Sequence, residues 1–186
     1  FGEPNRYPFI TPERFVPIFE FYSSNIKNGD PTAKILAPSI LNWDHTCTGC
    51  PGLYSCHGAW KQGYLCGKVW LQRFIEEFQD RYGRYPEIDV WGIDLYPLDW
   101  VNIPNGLMHA DIAINDLQDM QNYLKSVAGG KYENTPIWIT EMGLHVGYGS
   151  YMTSGTTIRP LGDFYWKKMS DYMAKILNWL DTSAND

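Results

Sequence analysis

Apolar positions recur along this chain at two spacings, and stretches of the two kinds alternate. Phe15, Phe19, Tyr22 and Ile26 fall on one face of a helix. Thr11-Pro12-Glu13 opens that helix with a cap, a proline at the first helical position and an acidic first turn. Asn28-Gly29-Asp30-Pro31 closes it, and Pro17 removes one internal hydrogen bond, which predicts a kink. Lys34 to Ile40 then reads as a strand. A second helix is predicted from about Lys68 to Tyr82, with Leu71, Phe74, Ile75, Phe78 and Tyr82 on its apolar face and Gly83 as its stop. Ile88 to Tyr96 is a second strand. A third helix covers about His109 to Val127, with Ala113, Leu117, Met120 and Leu124 on its stripe, and Gly129-Gly130 ends it. Pro136 to Met142 is a short apolar run without polar alternation, which predicts a strand buried on both faces. A last helix runs to about Leu180, with Tyr165, Met169, Tyr172, Met173, Ile176 and Leu180 facing inward.

Helices alternating with strands in this way predict right-handed βαβ units and a parallel sheet, an α/β fold. Only three strands are complete, with the end of another at Phe1-Gly2-Glu3. That is too few to close an eight-stranded barrel, so a partial TIM barrel is expected. An open half exposes strand edges. The missing strands are expected from an upstream segment, from a second chain or from a different closure. The chain starts with Phe and lacks a signal-peptide pattern, so a fragment is the expectation. Residues 1–186 are read as a single domain with a cysteine-rich loop insertion at about 41–67.

With 186 residues, 44% of them hydrophobic, the chain can bury a core. A net charge of −6 argues against a nucleic-acid partner. No apolar run approaches the ~20 residues of a membrane span. Aromatic residues are abundant, with 8 Trp and 13 Tyr, and such rings stack on sugars as well as filling cores.

The candidate chemistry lies at the strand ends, where active sites of parallel α/β folds gather. Pro136-Ile137-Trp138-Ile139-Thr140-Glu141-Met142-Gly143 ends its apolar run on a carboxylate, and Phe1-Gly2-Glu3-Pro4-Asn5 carries another. Two such carboxylates suit acid–base work on a glycosidic bond. A helix-capping or solvated Glu141 and a disordered Glu3 are the plainer alternatives.

These segments resemble a family. Phe1-Gly2-Glu3-Pro4-Asn5-Arg6 resembles the Gly-Asn-Glu-Pro motif at the fourth strand end of clan A glycoside hydrolases. Trp138-Ile139-Thr140-Glu141-Met142-Gly143 resembles their seventh-strand nucleophile motif, and Asp94-Leu95-Tyr96-Pro97 their sixth-strand end. The order matches strands four to seven of that (β/α)8 barrel, its C-terminal half. The resemblance implies a retaining glycosidase with Glu141 as nucleophile and Glu3 as general acid/base. It also implies that Tyr96 holds Glu141 by a hydrogen bond. The acid/base is normally preceded by Asn, which binds the sugar 2-hydroxyl; here that position is Gly2. The implied substrate is an extracellular polysaccharide or glycan, and the implied location is outside the cell. A non-catalytic carbohydrate-binding or structural barrel fragment that needs a partner chain is the alternative.

Further cleft candidates follow the strands. Asn5, Asn42, Trp43, Tyr96, Trp100 and His145 are the substrate-binding candidates, with Trp43 and Trp100 suited to stacking on sugar rings. A core Trp43 and a solvated His145 are the plainer readings. Asp94 is expected to be buried at its strand end. Cys47, Cys50, Cys56 and Cys66 fall within the loop insertion. An even, clustered set in a secreted chain suggests two disulfides. A structural zinc site, with His45 or His57 nearby, and a redox Cys-x-x-Cys are the other readings. No other cofactor is implied.

Overall fold

Helix α1 spans Pro12–Gly29 in the computed structural model, which describes residues 2–5, 10–43, 65–96, 110–143 and 163–182. Thr11 caps it through its backbone: its carbonyl accepts the N–H groups of Arg14 and Phe15. Pro17 lies inside the helix and has no N–H for the carbonyl of Glu13. The Arg81 guanidinium, from the next helix, donates to that carbonyl at 3.4 Å. A neighbouring element thus supplies the missing partner.

Helix α2, Gly67–Tyr82, ends at Gly83, whose φ of 65° lies in the left-handed region that glycine enters without strain. Its N–H bonds the Gln79 carbonyl and closes the last turn. The two helices meet through aromatic rings. Trp70 stacks on Phe74 at 5.6 Å, and Phe74 meets Phe15 and Phe19 edge-on at 5.9 and 5.2 Å. Edge-on rings are favourable because the positive rim of one approaches the negative face of the other.

Helix α1 corrects one expectation. Its buried face is Phe15, Val16, Phe19 and Ser23, while Tyr22 and Ile26 lie on an exposed flank beside Phe21. A stripe read by spacing alone has two possible continuations after Phe19, and the small Ser23 fits the close approach of α1 to the core.

Among the described residues, three strands form one parallel sheet in the order β1 (Ile40–Leu41), β2 (Trp91–Leu95), β3 (Ile137–Met142). Gly2 pairs in parallel with Ser39, which sets the N-terminal segment beside β1. Helix α3, Ala110–Ser126, runs into a short 3₁₀ turn at Val127–Gly130, and helix α4 covers Asp163–Thr182. The core lies between the helices and one face of the sheet, with Ile40, Trp91, Ile93, Met120, Leu124, Tyr172 and Ile176 all buried. The fold is α/β with a small parallel sheet. Among the described residues no helix is long and apolar enough to cross a membrane.

Two strands differ from the sequence expectation. The stretch from Lys34 to Ile40 joins the sheet only through a bridge at Leu36, the Gly2–Ser39 bridge and then β1. Pro38 has no N–H to give to a ladder, so the strand is interrupted there. Strand β3 is not buried on both faces: Trp138 is 57% exposed. It is an outer strand of the described sheet, with helices against only one side. Ile137 and Ile139 pack on the core, whereas Trp138, Thr140 and Glu141 face away from it. An apolar run cannot reveal this, because Trp is apolar on either face.

Candidate functional site

The carboxyl ends of the strands bring together residues from both ends of the chain. Register explains how. Gly92 pairs with Trp138 and Ile93 with Ile139, but Asp94 pairs with Glu141. Thr140 is therefore an extra residue, a β-bulge, on β3. Paired residues in a sheet share a face, so Trp138 and Glu141 lie on the face of Gly92 and Asp94. Thr140, two residues from Trp138, lies there as well. The bulge thus places two consecutive polar side chains, Thr140 and Glu141, over the same open face. Bulges commonly re-aim side chains in this way beside active sites.

Glu141 is exposed and accepts a hydrogen bond of 2.8 Å from the Tyr96 hydroxyl. Burial first, then that hydrogen bond and the nearby negative charges of Glu141, Asp94 and Glu3, push the Tyr96 phenol up to about 12. Tyr96 therefore keeps its proton and acts as a donor across the physiological range. Glu3 lies in the segment paired with Ser39: its N–H bonds the Ser39 carbonyl at 2.8 Å, and its φ is 47°. A non-glycine residue in the left-handed region is uncommon and marks a backbone held by its surroundings. Glu141 contacts the Tyr96 hydroxyl directly, whereas the Glu3 charge is the smallest of the influences that raise that phenol.

Tyr96 is itself held from below. Asn42 is buried, with φ 49°, and its amide clamps the Tyr96 backbone. The Asn42 Nδ2 donates to the Tyr96 carbonyl and the Tyr96 N–H donates to Asn42 Oδ1, each at 2.7 Å. Asn tolerates the left-handed region better than most residues, which suits it to a strand end. Gly143 packs closely against the ring of Tyr96. A Cβ there would stand 3.0 Å from the Tyr96 ring. Asp94 is 2% exposed, and burial raises its carboxyl above the ordinary value, with the Glu141 charge adding to that rise. Thr140 Oγ1 lies 2.5 Å from Asp94 Oδ1, 2.7 Å from Ser39 Oγ and 3.1 Å from the Ile93 carbonyl.

Three expected substrate contacts are placed elsewhere. Asn5 is fully buried, and its amide is engaged on the backbone: Nδ2 donates to the carbonyls of Leu41 and Leu65, and Oδ1 accepts the Leu41 N–H. It ties the N-terminal segment to β1 rather than meeting a ligand. Asn42 likewise has both amide ends on Tyr96. Trp43 is 1% exposed, beside Tyr123, and its backbone N–H donates to Asp116 Oδ2 at 3.1 Å. A ring enclosed by α3 cannot stack on a sugar. Trp100 and His145 lie outside the described residues, as do Cys47, Cys50 and Cys56. Cys66 lies buried just before α2. Among the described residues no three His, Cys, Asp or Glu side chains gather as a metal site.

The support around the pair escaped sequence reasoning. Thr140 and Ser39 are ordinary strand residues in sequence, and only the bulge and the Gly2 bridge bring them to Asp94. The one signal available was Asn42 directly after a strand. A separate cavity of about 350 Å³, lined by Leu117, Leu124, Pro136, Ile137 and Trp179 among others, lies at the opposite, amino-terminal end of β3. No family model, curated protein or solved structure matches this chain, so the Tyr96–Glu141 hydrogen bond at the strand ends is what carries its functional reading.

Proposed function

We propose that this chain carries the catalytic pair of a retaining glycoside hydrolase that acts on a polysaccharide or glycan outside the cell. The observation that supports this most is the Tyr96 hydroxyl donating to Glu141 at 2.8 Å, at the carboxyl end of adjacent parallel strands. On this reading the segment at Gly2 and strands β1 to β3 are four adjacent strands of a (β/α)8 barrel, and the open sheet face is its lumen. Glu141 attacks the anomeric carbon as a carboxylate. The bond from that carbon to the glycosidic oxygen breaks, and Glu3 delivers its proton to the leaving oxygen. Water then attacks the glycosyl ester, Glu3 takes the water's proton, and Glu141 is released. Tyr96 orients the nucleophile and withholds one of its lone pairs from the wrong direction. Carboxyl groups ~5–5.5 Å apart suit this double displacement.

The test is Glu141→Gln. The variant is expected to keep the wild-type thermal midpoint, because residue 141 is exposed, and to lose hydrolysis of an activated aryl glycoside. Undiminished turnover by a folded variant would remove the proposal.

One observation favours a second reading, a sugar-binding or structural barrel completed by another segment or chain. Trp138 is exposed on the open sheet face, and Leu36, at 40% exposure, lies on that face too. Such a protein would bind oligosaccharide, with wild type and Glu141→Gln equally without turnover.

A further inference from the structure

Strand β1 pairs with β2 only at Ile40 and Leu41, yet the two segments stay joined as far as Tyr96. Asn42 makes the difference. Its backbone N–H still donates to the Asp94 carbonyl at 2.9 Å, as a parallel ladder requires. In a regular ladder the next rungs would join the Asn42 carbonyl to the Tyr96 N–H, and the Tyr96 carbonyl to the N–H two positions beyond Asn42. Side-chain atoms stand in both places: Asn42 Oδ1 accepts the Tyr96 N–H, and Nδ2 donates to the Tyr96 carbonyl. We propose that Asn42 is a positioning residue of this site, its amide replacing the departing backbone of β1 and so fixing where the Tyr96 hydroxyl meets Glu141. The catalytic meaning rests on the glycosidase reading, whereas the placement itself can be measured without a substrate.

The turn of the backbone away from β2 is held from several sides. Asn42 has a φ of 49°, and its carbonyl lies against Gly67 at the start of α2, where any Cβ would collide with it. The Trp43 carbonyl accepts the Lys68 N–H at 2.8 Å, and the Trp43 N–H donates to Asp116 on α3. The Asn5 amide holds both backbone groups of Leu41. The N-terminal segment, α2 and α3 therefore all grip this corner, and a left-handed residue persists where its surroundings over-determine it. Among the short polar side chains that enter that region, asparagine alone carries both a donor and an acceptor.

The consequence reaches Glu141 through Tyr96. The Leu95 carbonyl faces the other way and accepts the Gly143 N–H at 3.1 Å. Leu95 is thus tied to the end of β3, and Tyr96 to the end of β1. Between those ties the hydroxyl stands 2.8 Å from Glu141 Oε2. A backbone shift of about 1 Å would carry it out of hydrogen-bond range.

Carbon-13 NMR of the full chain, labelled at the tyrosine Cζ, tests the proposal, with Tyr96 assigned by the signal missing in Tyr96→Phe. The phenol, pushed up to about 12, keeps its own proton through the acid range, so a step in its signal there reports its surroundings. The part of that step which Glu141→Gln removes belongs to the Tyr96–Glu141 hydrogen bond. Asp94 and Glu3, whose charges also reach the phenol, account for any remainder. Asn42→Gly keeps the left-handed corner and removes the amide, and is expected to shrink the Glu141 part by about half or more. If that variant does not fold, Asn42→Asp is read instead, since it keeps the acceptor for the Tyr96 N–H and sets an oxygen against the Tyr96 carbonyl. A Glu141 part of full size in the folded variant, or its absence from the wild type, overturns the proposal. In turnover of an aryl glycoside, Asn42→Gly is expected to lower kcat about tenfold at unchanged KM and to add nothing to Tyr96→Phe. Losses that add independently overturn the proposal as well. A shrunken step in a protein that cleaves no glycoside leaves the placement standing and removes the glycosidase reading.

Discussion

The two faces of the same three strands are built from different chemistry. The face under the helices carries Ile40, Trp91, Ile93, Ile137 and Ile139 against a layer of aromatic rings. The other face carries Ser39, Gly92, Asp94, Thr140 and Glu141, linked by hydrogen bonds. Strand alternation supplies both at once, since neighbours in sequence point to opposite sides. The comparison teaches a division of labour. Apolar burial on one face fixes the backbone, and that fixed backbone lets the other face hold Asp94 and Glu141 side by side against their mutual repulsion. The bulge at Thr140 is the single departure from alternation, and it falls where the nucleophile candidate stands.

The sharpest way to break this comparison is to damage the helix-covered face. Phe74 is wholly buried and touches the rings of Phe15, Phe19, Trp70 and Phe78. Phe74→Ala is expected to lose about 3–5 kcal/mol of stability. Urea unfolding reads this directly. A loss below about 1 kcal/mol would mean that the aromatic layer does not fix the fold.

A change on the open face should do the reverse. Tyr96→Phe removes only the hydroxyl that donates to Glu141. If the proposed glycosidase reading holds and this hydrogen bond is worth about 1.5–3 kcal/mol more in the transition state than in the folded ground state, kcat falls roughly 10–100-fold. The urea midpoint should move little, because the ring stays in place. If stability falls and turnover does not, the two faces do not divide their labour as described.

A finer test compares the two ends of one chain segment. Asp89 precedes β2 and Asp94 is within it. The Ile35 backbone N–H bonds the Asp89 carboxylate at 2.8 Å, and Lys27 and Lys34 stand beside it at 3.2 and 3.3 Å. The backbone hydrogen bond first, then the two ammonium groups, holds Asp89 below the ordinary value. Its stabilisation is therefore present above that value and is lost as the pH falls through the lowered one. Asp94 is raised, so its sign is opposite. Its stabilisation is present below the ordinary value of 3.8 and is lost as the pH rises through the raised one. Asp89→Asn should flatten the acid side of a stability–pH profile, and Asp94→Asn the stretch above it. Thermal melts from pH 3 to pH 7 check both, and identical slopes in the two variants would refute the contrast.

Much of the framework was legible in the sequence. Helix α2 was bounded within one residue by the spacing of Leu71, Phe74, Ile75 and Phe78 and by Gly83, because a helix with a glycine stop is a local event. Helix α3 and the positions of β2 and β3 were legible for similar reasons. The inward face of α1 after Phe19 was not, because which flank of a helix is covered depends on what packs there. The open face of β3 was missed for the same cause: Trp138 is apolar in any environment, and exposure belongs to the neighbours. Among the candidate site residues, Glu3 and Glu141 were marked by their places at strand ends, and Tyr96 by the family resemblance of its segment. The roles of Asn5, Asn42 and Trp43 were not, since a polar or aromatic side chain after a strand looks the same whether it holds backbone or meets a ligand.

By itself the sequence determined the period of each segment, the helix stops, the parallel order and which carboxylates end their strands. These depend on residues within a few positions of one another. Only the tertiary structure decided that Thr140 bulges, that Asn42 grips Tyr96, and that Asp94 pairs in register with Glu141. Register between strands, and the burial of one carboxyl against the exposure of another, are set by contacts between distant parts of the chain, and local spacing carries no record of them.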